Sequence, residues 1–186
     1  MRVGLFVTCL VDLMRPSIGF AALKLLENAG YEVTVPAMQT CCGQPGWNSG
    51  DREAARALAE RLIAQFEECR YVVVPSGSCA GMIRAHFPEV FEDEPAMLAK
   101  ARGLVARTYE LTEFMTKIAK RASVSASFDG TVTYHDSCSG LRELGVKVQP
   151  RALSAGATNA TTRFWSPSLI IMRMSRPGGH WRRNAE

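Results

Sequence analysis

The chain has 186 residues, of which 47% are hydrophobic, enough for one domain with a sizeable core. The net charge of +4 does not indicate a nucleic-acid-binding body, because residues 1–150 carry 16 Lys and Arg against 17 Asp and Glu, and the excess lies in residues 151–186. The first residues lack a secretory signal pattern, and no run of about 18 apolar residues predicts a membrane span. The expected compartment is therefore the cytoplasm, where the six cysteines stay reduced.

The first half of the chain alternates between strand and helix patterns. Residues 2–9, RVGLFVTC, form a short apolar run that predicts a buried strand. Apolar residues at helical spacing follow over residues 16–30, with a glycine at the expected end of the helix. A second strand is predicted at residues 32–36, EVTVP, followed by a loop over residues 39–50.

The second half continues the same alternation. Asp51 is the predicted cap of a helix whose apolar face extends to Cys69, and residues 71–75, YVVVP, form a third buried strand. A long helical stretch is predicted over residues 95–122, with Gly103 and Tyr109 as candidate positions for a break, and a fourth strand over residues 131–135, TVTYH. The sequence therefore predicts an α/β fold, a mostly parallel sheet with flanking helices.

Most of the cysteines follow predicted strands. Those at or just beyond a strand's carboxyl end are Cys9, Cys41, Cys42, Cys79 and Cys138. Because the carboxyl ends of parallel strands share one edge of the sheet, and such folds place their sites there, we predict a site at this edge. Cys69 is the exception, because it falls on the apolar face of a predicted helix, and we assign it to the core.

The spacing of the cysteines favours a metal site. The pattern is C-x31-C-C-G-x35-C, and its adjacent Cys41 and Cys42 can reach one site only from an irregular loop, which Gly43 permits. A disulfide between neighbouring residues would be strained, whereas thiolates bound to different irons of a cluster meet no such restriction. The predicted metal ligands are Cys9, Cys41, Cys42 and Cys79. No catalytic side chain is predicted.

This spacing, with PSGSCAG around Cys79 and YHDSCSGLRELG over residues 134–145, resembles the CCG-domain (cysteine-rich domain) iron–sulfur oxidoreductases. Within that family it resembles the lactate-utilisation protein A and glycolate oxidase iron–sulfur subunit type, over residues 1–152. The resemblance implies a [4Fe-4S] cluster on the predicted ligands, with Cys138 as a further cofactor-binding position. It also implies electron transfer during oxidation of (S)-lactate, or of glycolate, together with partner iron–sulfur or oxidoreductase subunits.

The chain departs from the family pattern in two places. The family motif ends in C-x-x-C, but Met82 stands three residues after Cys79, which leaves four local thiolates, the usual number for a [4Fe-4S] cluster. The second C-C-G module of the family begins here with Cys138 but lacks its paired cysteines. Residues 153–186 form a basic tail without Cys or Lys, a composition expected of either an out-of-frame ending or a divergent natural tail.

Two further functions stay open beside electron transfer. Zinc also accepts four thiolates, so a structural or redox-sensing zinc domain is the runner-up, and a folded interaction module with merely buried cysteines is the third. Gln44 and Trp47 either cover the metal or anchor the loop. His135 either tunes or ligates the metal or makes a hydrogen bond at a strand end.

Overall fold

The computed structural model of the protein describes residues 2–124 and 134–155. Within them, four strands form one parallel sheet: β1 Arg2–Leu5, β2 Glu32–Thr34, β3 Tyr71–Val74 and β4 Thr108–Glu110. The order across the sheet is β2-β1-β3-β4. The register pairs Val3 with Val33 on one side and with Tyr71 on the other. The predicted α/β fold with a parallel sheet is confirmed.

Short helices connect the strands. In the described residues they are α1 Cys9–Met14, α2 Pro16–Asn28, α3 Gln44–Ser49, α4 Arg52–Gln65, α5 Gly77–Gly81, α6 Phe87–Val90, α7 Pro95–Arg107, α8 Leu111–Glu113, α9 Cys138–Arg142 and α10 Val148–Ala155. A π-helical turn at Met82–His86 continues α5 into α6, and another at Phe114–Ile118 continues α8. Such turns frequently occur at functional sites.

Two of the predicted helices have ends that agree with their local sequence signals. Pro16 occupies the first position of α2, and Gly30, with φ of +92°, follows that helix in the left-handed conformation that glycine favours. The Asp51 side chain caps α4 by accepting a hydrogen bond from the Ala54 N–H at 3.0 Å. Both helices were predicted from these residues.

Apolar clusters cover both faces of the sheet. Val72 and Val74 contribute to one cluster and Val73 to the other, because alternate strand residues point to opposite faces. The first cluster includes Phe66 and Cys69, and the sheet accommodates them because the strand residue beside them is Gly4: a Cβ added there would lie 2.4 Å from the Phe66 ring and 2.8 Å from the Cys69 Sγ. This two-sided burial explains why the strands read as continuous apolar runs.

Cys69 is buried, as predicted, but not on a helix. Helix α4 ends at Gln65, and Cys69 lies in the turn before β3, where its N–H donates to the Phe66 carbonyl at 3.1 Å. The side chain is only 4% exposed. The helical prediction was wrong because apolar residues continue at helical spacing beyond the last helical turn.

The fourth strand differs from the prediction. β4 interrupts the predicted helical stretch over residues 95–122 at Tyr109, one of the two candidate break positions, but the strand itself was not predicted. Of the predicted strand at residues 131–135, residues 131–133 lie outside the described part of the chain, and Tyr134 and His135 are not in a strand. Helix α3 likewise occupies part of the predicted loop over residues 39–50.

The last described helix, α10, crosses the predicted domain boundary at residue 152. It extends to Ala155, and its Leu153 packs in the core cluster that contains Leu26 and Phe114. The rest of the predicted tail, residues 156–186, lies outside the described residues. In the part of the chain that the structure describes, no helix is both long enough and apolar enough to cross a bilayer.

Candidate metal centre

The strand order positions the candidate site. β1 lies between β2 and β3. The chain therefore runs from β1 to β2 on one side and then crosses back to β3 on the other side of β1. In parallel sheets this reversal opens a crevice at the carboxyl ends of the two central strands, where ligands bind. Cys9 begins α1 after β1, and Cys79 lies in α5 after β3. The predicted placement of these two thiols at the carboxyl edge is confirmed.

The loop after β2 brings Cys41 and Cys42 to the same crevice. Gly43 turns the chain with a φ of +86°, and a Cβ at this position would lie 3.2 Å from the Ala55 carbonyl oxygen. Both the conformation and the close approach require glycine. The turn leads directly into α3, and Cys42 becomes buried while Cys41 stays partly exposed.

The predicted ligands border one cavity of about 460 Å³ and approach one another in two pairs. The Cys9 thiol donates to the Cys41 Sγ at 3.8 Å. Cys42 is hydrogen-bonded to Cys79, and both residues border the cavity. The fold therefore brings together all four cysteines of the sequence pattern, although they come from three separate segments of the chain.

The hydrogen bonds give the thiols different acidities. The bond to Cys79, followed by burial, raises the pKa of Cys42 far above its ordinary value. The same bond lowers the pKa of Cys79 to about 7, and hydrogen bonds with the Ser76 and Ser78 hydroxyls act in the same direction. Burial, followed by the hydrogen bond with Cys41, raises the pKa of Cys9. Cys79 therefore supplies thiolate at neutral pH, the form that binds metal.

The thiols approach one another in pairs and not as one compact group. Among the described residues, no group of three or more His, Cys, Asp or Glu side chains is close enough to hold one metal ion. A tetrahedral zinc site needs four donors at about 2.3 Å from one centre. Thiolates bind zinc ions and iron–sulfur clusters alike, so these cysteines form a candidate metal centre.

Sequence reasoning missed several polar residues at this site. Glu110, at the end of β4, borders the cavity together with Tyr134, and burial raises the pKa of its carboxyl group. Burial, followed by the charge of Glu110, raises the pKa of Tyr134 to about 12. The Ser76 and Ser78 hydroxyls beside Cys79 were also overlooked, although serine before a small-residue turn is a signal for a helix cap.

The remaining predicted residues occupy different places. Cys138 begins α9 and is exposed, while its neighbour Ser137 borders the cavity. Gln44 borders the cavity, whereas Trp47 packs against the core between the Arg52 guanidinium, 3.5 Å from its ring centre, and a histidine ring. Trp47 therefore anchors the loop. His135 is not among the residues that border the cavity.

The fold and the site together define a cysteine-rich α/β protein whose thiols surround a cavity at the carboxyl edge of a parallel sheet. A family model described as "CCG: Cysteine-rich domain" matches residues 3–84, a range that includes all four pattern cysteines.

Curated relatives match most of the chain. Lactate utilization protein A of Bacillus cytotoxicus is 44% identical over 163 residues, which cover 88% of this chain and 68% of the relative. The protein of the same name from Geobacillus kaustophilus is 46% identical over 153 residues, covering 82% of this chain and 64% of the relative. A Bacillus cereus counterpart is 43% identical over 163 residues, with coverage of 88% and 68%. The chain belongs to the lactate utilization protein A family.

Proposed function

We propose that this chain is an iron–sulfur electron-transfer subunit that serves the oxidation of (S)-lactate, and that Cys9, Cys41, Cys42 and Cys79 hold one [4Fe-4S] cluster. The observation that carries the proposal is the convergence of these four thiols, from three loops, on a single cavity at the topological switch point of the sheet. The lactate assignment rests on the names of the relatives.

The four thiols differ in what they do as ligands. Cys79 enters as a thiolate near neutral pH, whereas Cys9 and Cys42, whose pKa values are raised, release protons when metal binds. The burial of Cys42 and Cys79 excludes water from that side of the site. The cluster, when bound, accepts and releases single electrons at a potential set by ligation, burial and hydrogen bonds. Cys138, at the start of α9, remains a proposed further cofactor-binding position.

The charges around the thiols support electron transfer over substrate binding. Two cavities border Cys9 and Cys41, and their linings in the described residues include Asp12 and Glu110 but no Lys, Arg or His. Sites for carboxylates generally use the paired donors of arginine or the charge of lysine. The carboxylate of lactate would meet no positively charged side chain in these described linings, so partner oxidoreductase subunits are proposed to bind and oxidise the substrate.

The proposal is tested by reconstituting the anaerobic full chain with ferrous iron and sulfide. We expect about four irons and about four sulfides per chain, the brown colour of an iron–sulfur protein, and a paramagnetic resonance signal after reduction. Cys41→Ser should lose most of the iron. Cys69→Ser is the matched control and should retain it, because Cys69 packs against Gly4 away from the cavity.

Two results would overturn the assignment. A colourless protein with stoichiometric zinc would favour the zinc domain instead. Equal iron loss in Cys41→Ser and Cys69→Ser would mean that the iron is not bound at the cavity.

A further inference from the structure

The side chain of Gln39 substitutes for strand backbone at the end of β1. Its Oε1 accepts a hydrogen bond from the Val7 N–H at 2.6 Å, and its Nε2 donates to the Leu5 carbonyl at 2.8 Å. A single residue of a neighbouring parallel strand makes the same two bonds, through its own C=O and N–H, to residues two apart. β2 has already ended at Thr34, and Pro36, which has no N–H, cannot continue the ladder. One carboxamide therefore extends the β2 side of the sheet.

This extension joins the two segments that carry one thiol pair. Val7 lies two residues before Cys9, and Gln39 lies two residues before Cys41. On the opposite side, the Phe6 N–H donates to the Val73 carbonyl at 2.9 Å, so the end of β1 is held from both sides.

We propose that Gln39 is a positioning residue that sets the separation of Cys9 and Cys41 before any metal binds. The distance of 3.8 Å between the two sulfurs is then a property of the folded chain. Such preorganisation lowers the entropy lost when both thiolates are engaged by one centre. The consequence for cluster binding rests on the proposed function, but the spacing itself does not.

The chain offers a matched control in Gln65. Its Nε2 donates to the Met38 carbonyl at 2.6 Å, so this hydrogen bond holds the same loop one residue away without joining it to β1. Gln39→Met and Gln65→Met each replace a carboxamide with an apolar side chain of similar length. A general loosening of the loop would affect both variants, whereas loss of the β1 link would affect only the first.

Phenylarsine oxide is the probe, because its arsenic bonds to two neighbouring thiols with release of water. Its affinity is measured for the metal-free full chain in two backgrounds. One retains Cys9 and Cys41, and the other retains Cys42 and Cys79; in each, the other pair and Cys138 are replaced by serine. We expect Gln39→Met to weaken binding to the Cys9 and Cys41 pair about tenfold, the lower end of the effect of removing a residue that orients a ligand.

In Gln39→Met, the affinity of the Cys42 and Cys79 pair should stay within about twofold of its value with Gln39 present. Gln65→Met should leave the affinity of both pairs within that range. Unchanged binding in Gln39→Met, or equal weakening at both pairs, overturns the positioning role. Reconstitution of the unsubstituted chain is measured in parallel. Failure to bind iron there would refute the cluster proposal while leaving the arsenical result, and so the role of Gln39, intact.

Discussion

Cys42 and Cys79 share one hydrogen bond, yet their thiol acidities move in opposite directions. Cys42 donates and keeps its proton, while Cys79 accepts and is also stabilised as an anion by two serine hydroxyls. The pair titrates as a unit, and its first proton is lost near pH 7. A metal-free site with one thiolate ready at neutral pH is suited to capturing the first iron, because the thiolate is the form that binds metal.

Removal of the Ser76 hydroxyl should make this first deprotonation harder. Hydrogen bonds donated to the sulfur favour the thiolate, so Ser76→Ala should raise the pKa of Cys79 from about 7 by roughly one pH unit. The measurement is ultraviolet thiolate absorbance against pH in a metal-free chain that retains Cys42 and Cys79. Ser49→Ala is the control, because its hydroxyl bonds to the Gly46 carbonyl and Ser49 is not among the residues that border the cavity. The same titration midpoint in both variants would show that the Ser76 hydroxyl does not stabilise the Cys79 thiolate.

At the scale of elements, a close contact between α5 and α9 borders the cavity. A Cβ at Gly77 would lie 2.6 Å from the Ser137 Oγ and 3.1 Å from the Gly140 Cα, so neither helix has room for a side chain at the crossing. Ser137 also caps α9, its hydroxyl accepting from the Gly140 N–H at 3.1 Å. The helix that carries Cys79 and the helix that begins with Cys138 are therefore held together by glycine packing.

Gly77→Ala should separate these two helices and lower the free energy of unfolding by about 1–3 kcal/mol, the usual effect of overpacking. Gly103→Ala is the control: Gly103 lies within α7 with nothing within 4 Å of an added Cβ, so alanine should raise stability by about 0.5–1 kcal/mol. Urea unfolding followed by circular dichroism measures both. Destabilisation of similar size in the two variants would argue against tight packing at Gly77.

The sequence is informative about elements where one signal dominates. The apolar runs of β1 and β3 and the caps of α2 and α4 predicted those elements. β4 was missed because it has only three residues, Thr108–Glu110, and apolar residues at helical spacing continue on both sides of it. Thr108 is buried in the sheet, where pairing with β3 outweighs the local helical pattern.

Part of the candidate site could be predicted from the cysteine spacing and from the positions of the strand ends. Those two features were sufficient to predict the four thiols that border the cavity. Gln39 could not be predicted, because its role depends on where β2 stops relative to β1, a property of the register. Glu110 was missed together with its strand. Pairing of the thiols into Cys9 with Cys41 and Cys42 with Cys79 likewise needs the three-dimensional path of the loop.

At the scale of the whole molecule, the segment over residues 134–155 is tied to the rest of the described chain. Within the segment, Asp136 and Arg151 form a bidentate pair, each bond 2.6 Å long, and the hydrogen bonds from Arg151 lower the pKa of Asp136. Leu153 packs in the core beside α2 and α8. This late segment therefore forms part of the cavity wall, to which it contributes Tyr134 and Ser137.

The proposal that a partner binds and oxidises the substrate leads to a prediction for the whole chain. On that proposal, lactate should not transfer electrons directly to the metal centre of this chain. We expect the anaerobically reconstituted chain to lose visible absorbance when dithionite is added but to stay unchanged with excess (S)-lactate for many minutes. Adding the partner subunits should then make lactate effective. Bleaching by lactate alone would place a substrate site on this chain and would refute the assignment of lactate oxidation to a partner.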